Sequence, residues 1–596
     1  MKKYFLPSLM LLLTGSILLS VSCTKVLEKE NLNAYDSTAI WNDSNLVNSY
    51  LANVYNIFGN WDVAKDRLDD QVTGVAFPAD IITETTTGPL NTWSYTDIRL
   101  INEAISRVRL GTTPQGFKDR TLGQLYFLRA YAYFPMITNY GGVPYVKIAQ
   151  DRFKDDLNVP RNSTKECFEF MVQDIDSAIH LLPQHILSSS TTDWGRIDGN
   201  FALAFKAKVL LYKASPQFNP TTPWANNYWK DAYTVNKAAY ESLKGQGYHL
   251  AADYAQIALM EKNPEVVFSV INQYPNKIAN WDNGARPGSL SRGAASACPT
   301  WEMVKAFPMK DGKAYNDPSS AYYESDNDFL QSYWKNRDPR FEKSILWNGK
   351  TFPVAGAPSN YRQYSSVGIA DPLDNFGLNP HAKVTSTNNN RYSGFFILKN
   401  CDLTLTQAQV QGNYAIDYVV MRFAEVMLNY AETANETGHP GEALEMVRAI
   451  RQRAGIDAGA DGSYGITATT RTQIRQAIIN ERNIEFCFEG MRFDDLRRWR
   501  MFDVLNKVPK NGVEAIAING DGSEMPIDKA QQSAANFGLT EPNFKYSLIQ
   551  IPISGIRVNT IPDTYYFAPI QQNVLSADDK LEQNKAWGGT FDPTIH

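Results

Sequence analysis

The chain runs to 596 residues, with 58 Lys plus Arg against 63 Asp plus Glu, a net charge of −5 and a pI near 5.8. That balance excludes nucleic acid or an anionic lipid surface as the main partner. Hydrophobic residues make up 43% and charged residues 20%, a globular rather than disordered composition, long enough for several domains or for one large helical one.

In chain order, Lys2 and Lys3 precede an apolar run from Tyr4 to about Leu19, and Ser20 and Ser22 then lead into Cys23. A basic start, a short apolar run and small residues form a secretory signal, too short and wrongly flanked for a membrane span. The stretch ending in Cys23 resembles a bacterial lipoprotein cleavage site, in which that cysteine becomes the first residue and carries acyl chains. Residues Thr24 to about Asp36 are polar and without period, which suits a tether. An irregular zone follows at 59–94, with Trp61, Phe77, Asp80, the run Thr85-Thr86-Thr87-Gly88 and Trp93.

Helical periodicity then dominates. Residues 120–139 place Leu122, Leu125, Arg129, Ala132, Tyr133 and Met136 at helical spacing, and Gly141-Gly142 ends the run. Ser163-Thr164 with Glu166 announces a helix running to Pro183. Further helices are expected at about 198–215, rich in Ala and Leu, and at about 227–244. Glu265 to Val270 reads as a short strand. From about 255 to 415 the chain lacks helical period and is rich in aromatics and amides, which suits ordered loops facing a ligand. Residues 418–437 show a helical face with Val419, Phe423, Val426, Met427, Tyr430 and Ala434. Gly441–Arg453 would be its partner, and roughly 471–488 a third helix. Helix pairs of this length suggest a mostly α, tetratricopeptide-like superhelix.

Cys167 and Cys487 fall among apolar neighbours and read as buried free thiols. Neither a CxxC pair nor a His spacing suited to a metal is present. No cofactor is expected, and a structural calcium ion in the Asp- and Asn-bearing loops stays open.

The motifs together resemble the SusD/RagB nutrient-binding outer-membrane lipoproteins of Bacteroidota. They include Leu128-Arg129-Ala130-Tyr131 with Tyr140-Gly141-Gly142-Val143-Pro144, and Ser215-Pro216-Gln217-Phe218-Asn219-Pro220. Near the C-terminus come Arg422-Phe423-Ala424-Glu425, then Phe488-Glu489-Gly490-Met491-Arg492-Phe493-Asp494-Asp495-Leu496-Arg497-Arg498-Trp499, and finally Phe567-Ala568-Pro569-Ile570. The resemblance implies a signal peptide at 1–22, a lipidated tether at 23–36 and one domain at 37–596, with four helix pairs and a loop-rich ligand region. It also implies a non-catalytic protein, anchored at the cell surface through Cys23, that hands an oligosaccharide, or in some members a peptide, to a TonB-dependent SusC-like transporter.

Glu481, Arg482, Glu485, Glu489, Arg492, Asp494, Arg497 and Arg498 look like an acid/base cluster. Alternating arginines hold carboxylates ionised, however, so a structural salt-bridge network is the favoured reading. The preferred ligand surface is the loop at 273–286. It has Tyr274 and Trp281 as an aromatic platform, Asn280 and Asn283 as amides and Arg286 as a charged donor. On this reading Trp281→Ala abolishes glycan binding without unfolding the protein. Packing of Trp281 onto the helices weighs equally. Trp61, Asp80 and Trp93 form a weaker set, with Trp93 also readable as core, and Tyr361 and Tyr364 are plausible loop contacts. The competing functions are a peptide-binding member of the same family, a glycoside hydrolase, which would need two unpaired carboxylates facing a cleft, and a ligand-free helical scaffold.

Overall fold

The computed structural model describes residues 40–62, 69–73, 85, 90–186, 190, 193–279, 281–288, 297–366, 368–369, 393–412, 414–506, 510–551 and 561–595. The expected sites Cys23, Asp80 and Asn280 lie outside the described residues.

The fold is mostly helical. After α1 (Ser44–Val54) come α2 (Thr96–Leu110), α3 (Gln115–Tyr140), α4 (Thr164–Leu181), α5 (Gly199–Ala214) and α6 (Tyr228–Gly245). A second run holds α7 (Phe423–Glu436), α8 (Pro440–Ala454), α9 (Arg471–Glu485) and α10 (Arg492–Arg498). Neighbours in sequence pack as pairs, α3 on α4, α5 on α6 and α7 on α8. α7 also packs on α5, α6 and α9, which closes the two runs into one stack.

Local chemistry sets the boundaries. At α4 the Ser163 hydroxyl accepts from the Glu166 N–H at 3.2 Å, and the Glu166 carboxylate accepts from the Ser163 N–H at 2.9 Å. This is the capping box expected from the sequence, and it satisfies two otherwise orphaned donors. Asp198 caps α5 by accepting from the Phe201 N–H. α3 stops at Gly141, whose φ is +77°. An added Cβ there would come within 2.5 Å of Pro593, so the glycine lets the C-terminal tail cross the helix end.

The expected strand forms as β1 (Val266–Val270). It pairs antiparallel with a strand the sequence reading missed, Tyr418–Arg422, which is β4. Helical spacing had extended the helix back to 418. The β-branched Val419 and Val420 instead join β1, and α7 starts only at Phe423, whose N–H donates to the Glu265 carbonyl at 2.7 Å.

Between these helical runs, the expected irregular segment builds a second core. Short helices Trp301–Ala306, Asp326–Ser332 and Pro339–Ser344 alternate with the two-residue strands β2 (Ile345–Leu346) and β3 (Phe396–Ile397), which pair with each other. The hairpin of β5 (Asn511–Ala517) and β6 (Phe544–Gln550) packs on the same side. Trp301, Tyr333, Phe341, Trp347, Phe395 and Tyr546 are buried there among aliphatic side chains. The aromatics of this region therefore serve mainly as core.

Buried ion pairs join the two cores. The Glu485 carboxylate meets Arg340 at 2.9 Å and Arg422 at 2.7 Å, and also pairs with Arg453. Glu481 joins Arg340 to Arg451, each at 2.7 Å. Glu489 pairs with Arg422 and Lys399. In the last helices, Arg498 grips Glu432 through two bonds of 2.6 and 2.7 Å and also reaches Asp495, which accepts from Arg482. This is the structural network the sequence pattern favoured. Burial alone would raise these carboxyls. The surrounding guanidiniums outweigh it and hold Glu481, Glu485, Glu489 and Asp495 below the usual carboxylate range, with Lys399 adding to the effect at Glu489.

Candidate functional site

The loop favoured from sequence does not form an exposed platform. Trp281 is 2% exposed, and its indole N–H donates to the Lys399 carbonyl at 2.8 Å. Its ring lies 5.1 Å from that of Trp61, which is itself half-buried and donates to the Asp417 carbonyl. Arg286 is fully buried beside Asp282, at 2.7 Å, and it also donates to the Asp402 carbonyl. These are corrections to the sequence reading. The apolar ring found a core to fill, and the guanidinium found a carboxylate four residues back on one short helical turn. Tyr361 and Tyr364 are corrected likewise. Both are buried, Tyr361 against Phe352 and Phe537, and Tyr364 with its hydroxyl donating to the Leu539 carbonyl at 3.1 Å. Among the described residues of the loop set only Tyr274, at 51%, is exposed, while Asn283 is half-buried.

Two concavities stand out among the described residues. One, of about 610 Å³, is a groove beside the start of α2, where Trp93 and Tyr95 meet Ile148, Leu157 and Val574. Trp93 thus borders open space on one side while its ring packs edge-on against Tyr140 at 5.2 Å on the other.

The second, of about 660 Å³, lies between α3, α5, α7, α10 and β4. Helical spacing builds its walls. Tyr131, Phe134 and Thr138 come from one face of α3; Phe201, Phe205, Lys208 and Tyr212 line one face of α5; Glu425 and Asn429 are one turn apart on α7. The rings brace one another, with Phe134 at 5.4 Å from Phe205 and 4.9 Å from Tyr212, and Tyr131 at 5.3 Å from Phe205. Polar groups are fixed among them. Lys208 Nζ sits 2.8 Å from Glu425 Oε1. Asp494 holds Arg497 at 3.0 Å, and Arg497 also donates to Asn139. Asn429 accepts from Arg482 at 2.8 Å. Burial raises the Tyr131 phenol far above its usual range, and the neighbouring Tyr418 and Glu425 push the same way. This hydroxyl remains protonated and able to donate.

Aromatic faces with a few fixed, planar polar groups can hold a flat polyhydroxylated ligand. None of these cavity residues was among the ligand residues expected from sequence, although Arg482, Asp494 and Arg497 belong to the cluster read there as a salt-bridge network. The signal was present in the spacing of Phe201, Phe205, Lys208 and Tyr212, which set a lysine amid rings on a stretch that had read only as Ala- and Leu-rich.

The same chemistry argues against catalysis at this site. Two carboxyls of the lining, Glu489 and Asp495, are held below the usual carboxylate range by arginines, whereas a general acid needs a raised pKa. Among the described residues no group of three or more His, Cys, Asp or Glu side chains is arranged to hold a metal ion. The four cysteines there, Cys167, Cys298, Cys401 and Cys487, are buried.

Comparison with known proteins decides the family. The model of the SusD family matches residues 264–587, more than half of the chain. The chain belongs to the SusD family. A second model, described as starch-binding associating with outer membrane, matches residues 25–211 of this SusD-family chain. Among curated relatives it is similar to the SusD-like protein P38 of Formosa agariphila, 24% identical over 64% of this chain and 67% of that one. Among solved structures it is similar to a SusD-like protein of Bacteroides fragilis, with a TM-score of 0.70 and 22% identity over 92% of this chain and 98% of the other. A SusD-like carbohydrate-binding protein from the same species gives 0.67 and 20% over 91% and 99%. Surface glycan-binding protein A of Bacteroides fluxus gives 0.56 and 18% over 91% and 99%. At these identities the structural likeness establishes the fold.

Proposed function

We propose that this SusD-family protein is a non-catalytic glycan-binding lipoprotein of the cell surface. It is anchored in the outer membrane through Cys23, and it captures an oligosaccharide for a partner TonB-dependent, SusC-like transporter. The observation that carries the binding step is the ring-walled cavity between α3, α5 and α7, with its fixed lysine, carboxylates and phenols. Family membership supports the reading, as does the outer-membrane association in the description of the second family model. Among the described residues no helix is long and apolar enough to cross a membrane.

Capture for transport requires release, and a cavity offering few buried polar contacts gives moderate affinity once ordering costs are met. Calorimetric titration of the purified protein with a panel of oligosaccharides tests the reading. Binding without any change in the chain length of the sugar is expected. Cleavage of a bound sugar, or binding confined to peptides, would overturn it. Labelling with a radioactive fatty acid tests the anchor: wild type should incorporate it and Cys23→Ala should not.

A further inference from the structure

The groove beside the start of α2 and the helix-lined cavity are neighbours. Leu90 and Thr92 line the cavity, and the next residue, Trp93, lines the groove. Successive Cα atoms lie about 3.8 Å apart, so the two spaces meet across one strip of chain. That strip is fastened to the end of α3. The Thr92 hydroxyl donates to the Pro135 carbonyl at 3.1 Å and accepts from the Asn139 amide at 2.9 Å. The Tyr140 hydroxyl accepts from the Thr92 N–H and donates to the Leu90 carbonyl, each at 3.3 Å. Pro135 and Asn139 are themselves cavity residues, and Trp93 packs on the ring of Tyr140. The helix that walls the cavity therefore also fixes the position of the groove. Asn91 and Ser94 on the strip are exposed, so its outer edge is open to solvent.

The groove repeats the chemistry of the cavity. Trp93 and Tyr95 are half-buried, with ring centroids 5.9 Å apart. The Trp281 indole is spent on a backbone carbonyl, whereas that of Trp93 has no acceptor among the described residues. Arg99 and Asn573 stand exposed on the groove, and neither side chain has a partner among the described residues. Ile148 and Leu157, 68% and 50% exposed, add an apolar wall. Planar donors beside a ring and an aliphatic wall suit a sugar, with its C–H faces and hydroxylated edge.

We infer that the groove is a second subsite for the same ligand, and that one oligosaccharide chain occupies both spaces, crossing the strip at Thr92 with Trp93 as the platform beyond it. This rests on the reading of the cavity as the glycan site. Once the cavity is occupied, the tethered end of the chain meets the groove at high effective concentration. The protein therefore selects for chain length, favouring chains long enough to cross the strip over short sugars confined to the cavity.

The test is calorimetric titration of the purified protein with malto-, xylo- and manno-oligosaccharide ladders, each from disaccharide to octasaccharide. In a ladder that binds, wild-type affinity should rise at least tenfold along the series, with one chain held per protein. Trp93→Ala should cut the ratio of octasaccharide to disaccharide affinity at least fivefold; the ratio removes any loss common to both. Arg99→Ala, at an exposed side chain, should cut it at least twofold, and this keeps the test valid should Trp93→Ala fail to fold. Affinity independent of length would overturn the inference, as would two chains bound per protein, or a ratio unchanged in the variants that fold. Failure of the wild type to bind any sugar refutes the functional reading and this inference with it, an outcome distinct from binding without length selectivity.

Discussion

The loop at 273–286 and the face of α5 both carry aromatic rings and a cation, yet they end in different roles. In the loop, Trp281 and Arg286 are consumed by packing and pairing. On α5, Phe201, Phe205 and Tyr212 are about as buried as Trp281, but with Lys208 they border a cavity of about 660 Å³ that remains between α3, α5 and α7. Composition therefore does not decide whether a ring serves as core or as a ligand face. What decides is whether the neighbouring elements leave a cavity beside it.

The comparison breaks first at the buried network that fixes the helices around the cavity. Glu485→Ala would take one carboxylate from each of three buried arginines, Arg340, Arg422 and Arg453, which keep only their other partners, at a cost of about 3 kcal/mol of unfolding free energy. Urea denaturation measures this, and a loss under 1 kcal/mol would show that the network is not supporting the stack. The same pairs set an acid limit. Glu481, Glu489 and Asp495 titrate below their ordinary values of 4.5, 4.5 and 3.8 in the folded state. The unfolded chain thus takes up their protons first as the pH falls. Their stabilisation is complete above about pH 5 and is lost progressively below the ordinary carboxylate range. Thermal melts from pH 7 to pH 3 should show a midpoint that holds and then drops; a midpoint still flat at pH 3 would contradict this.

Trp281→Ala comes next. The sequence reading expects lost binding and intact folding; the structure predicts the reverse. Removing a buried indole should cost about 3–5 kcal/mol of stability while leaving the sugar affinity of the folded fraction within twofold. Denaturation and calorimetry on one preparation separate the two outcomes. Tyr131→Ala, at a half-buried ring of the cavity, should weaken glycan binding about tenfold, roughly 1.4 kcal/mol. Tyr274→Ala should do least, with stability within about 0.5 kcal/mol of wild type and affinity unchanged, since that ring is half in solvent. Loss of binding there would return the site to the loop.

Much of the fold was legible because helical spacing and caps are local. Ser163 with Glu166 marked the start of α4 within a residue, and the interleaved arginines and carboxylates at 481–498 announced their own pairing. β4 was misread because Val419, Phe423 and Val426 keep a helical interval across a strand-to-helix junction, and the partner that makes 418–422 a strand lies about 150 residues away. The site was less legible for the same reason. The cavity is assembled from residues spread between Ile57 and Arg497, most of them on five elements, and no one element carries the pattern alone.

The most direct test is a crystal structure with a bound oligosaccharide taken from the titration panel. Sugar density between α3, α5 and α7, within hydrogen-bond reach of Lys208 or Glu425, is the predicted result. Density on the exposed face of Tyr274, with the helix-lined cavity holding only water, would contradict the account.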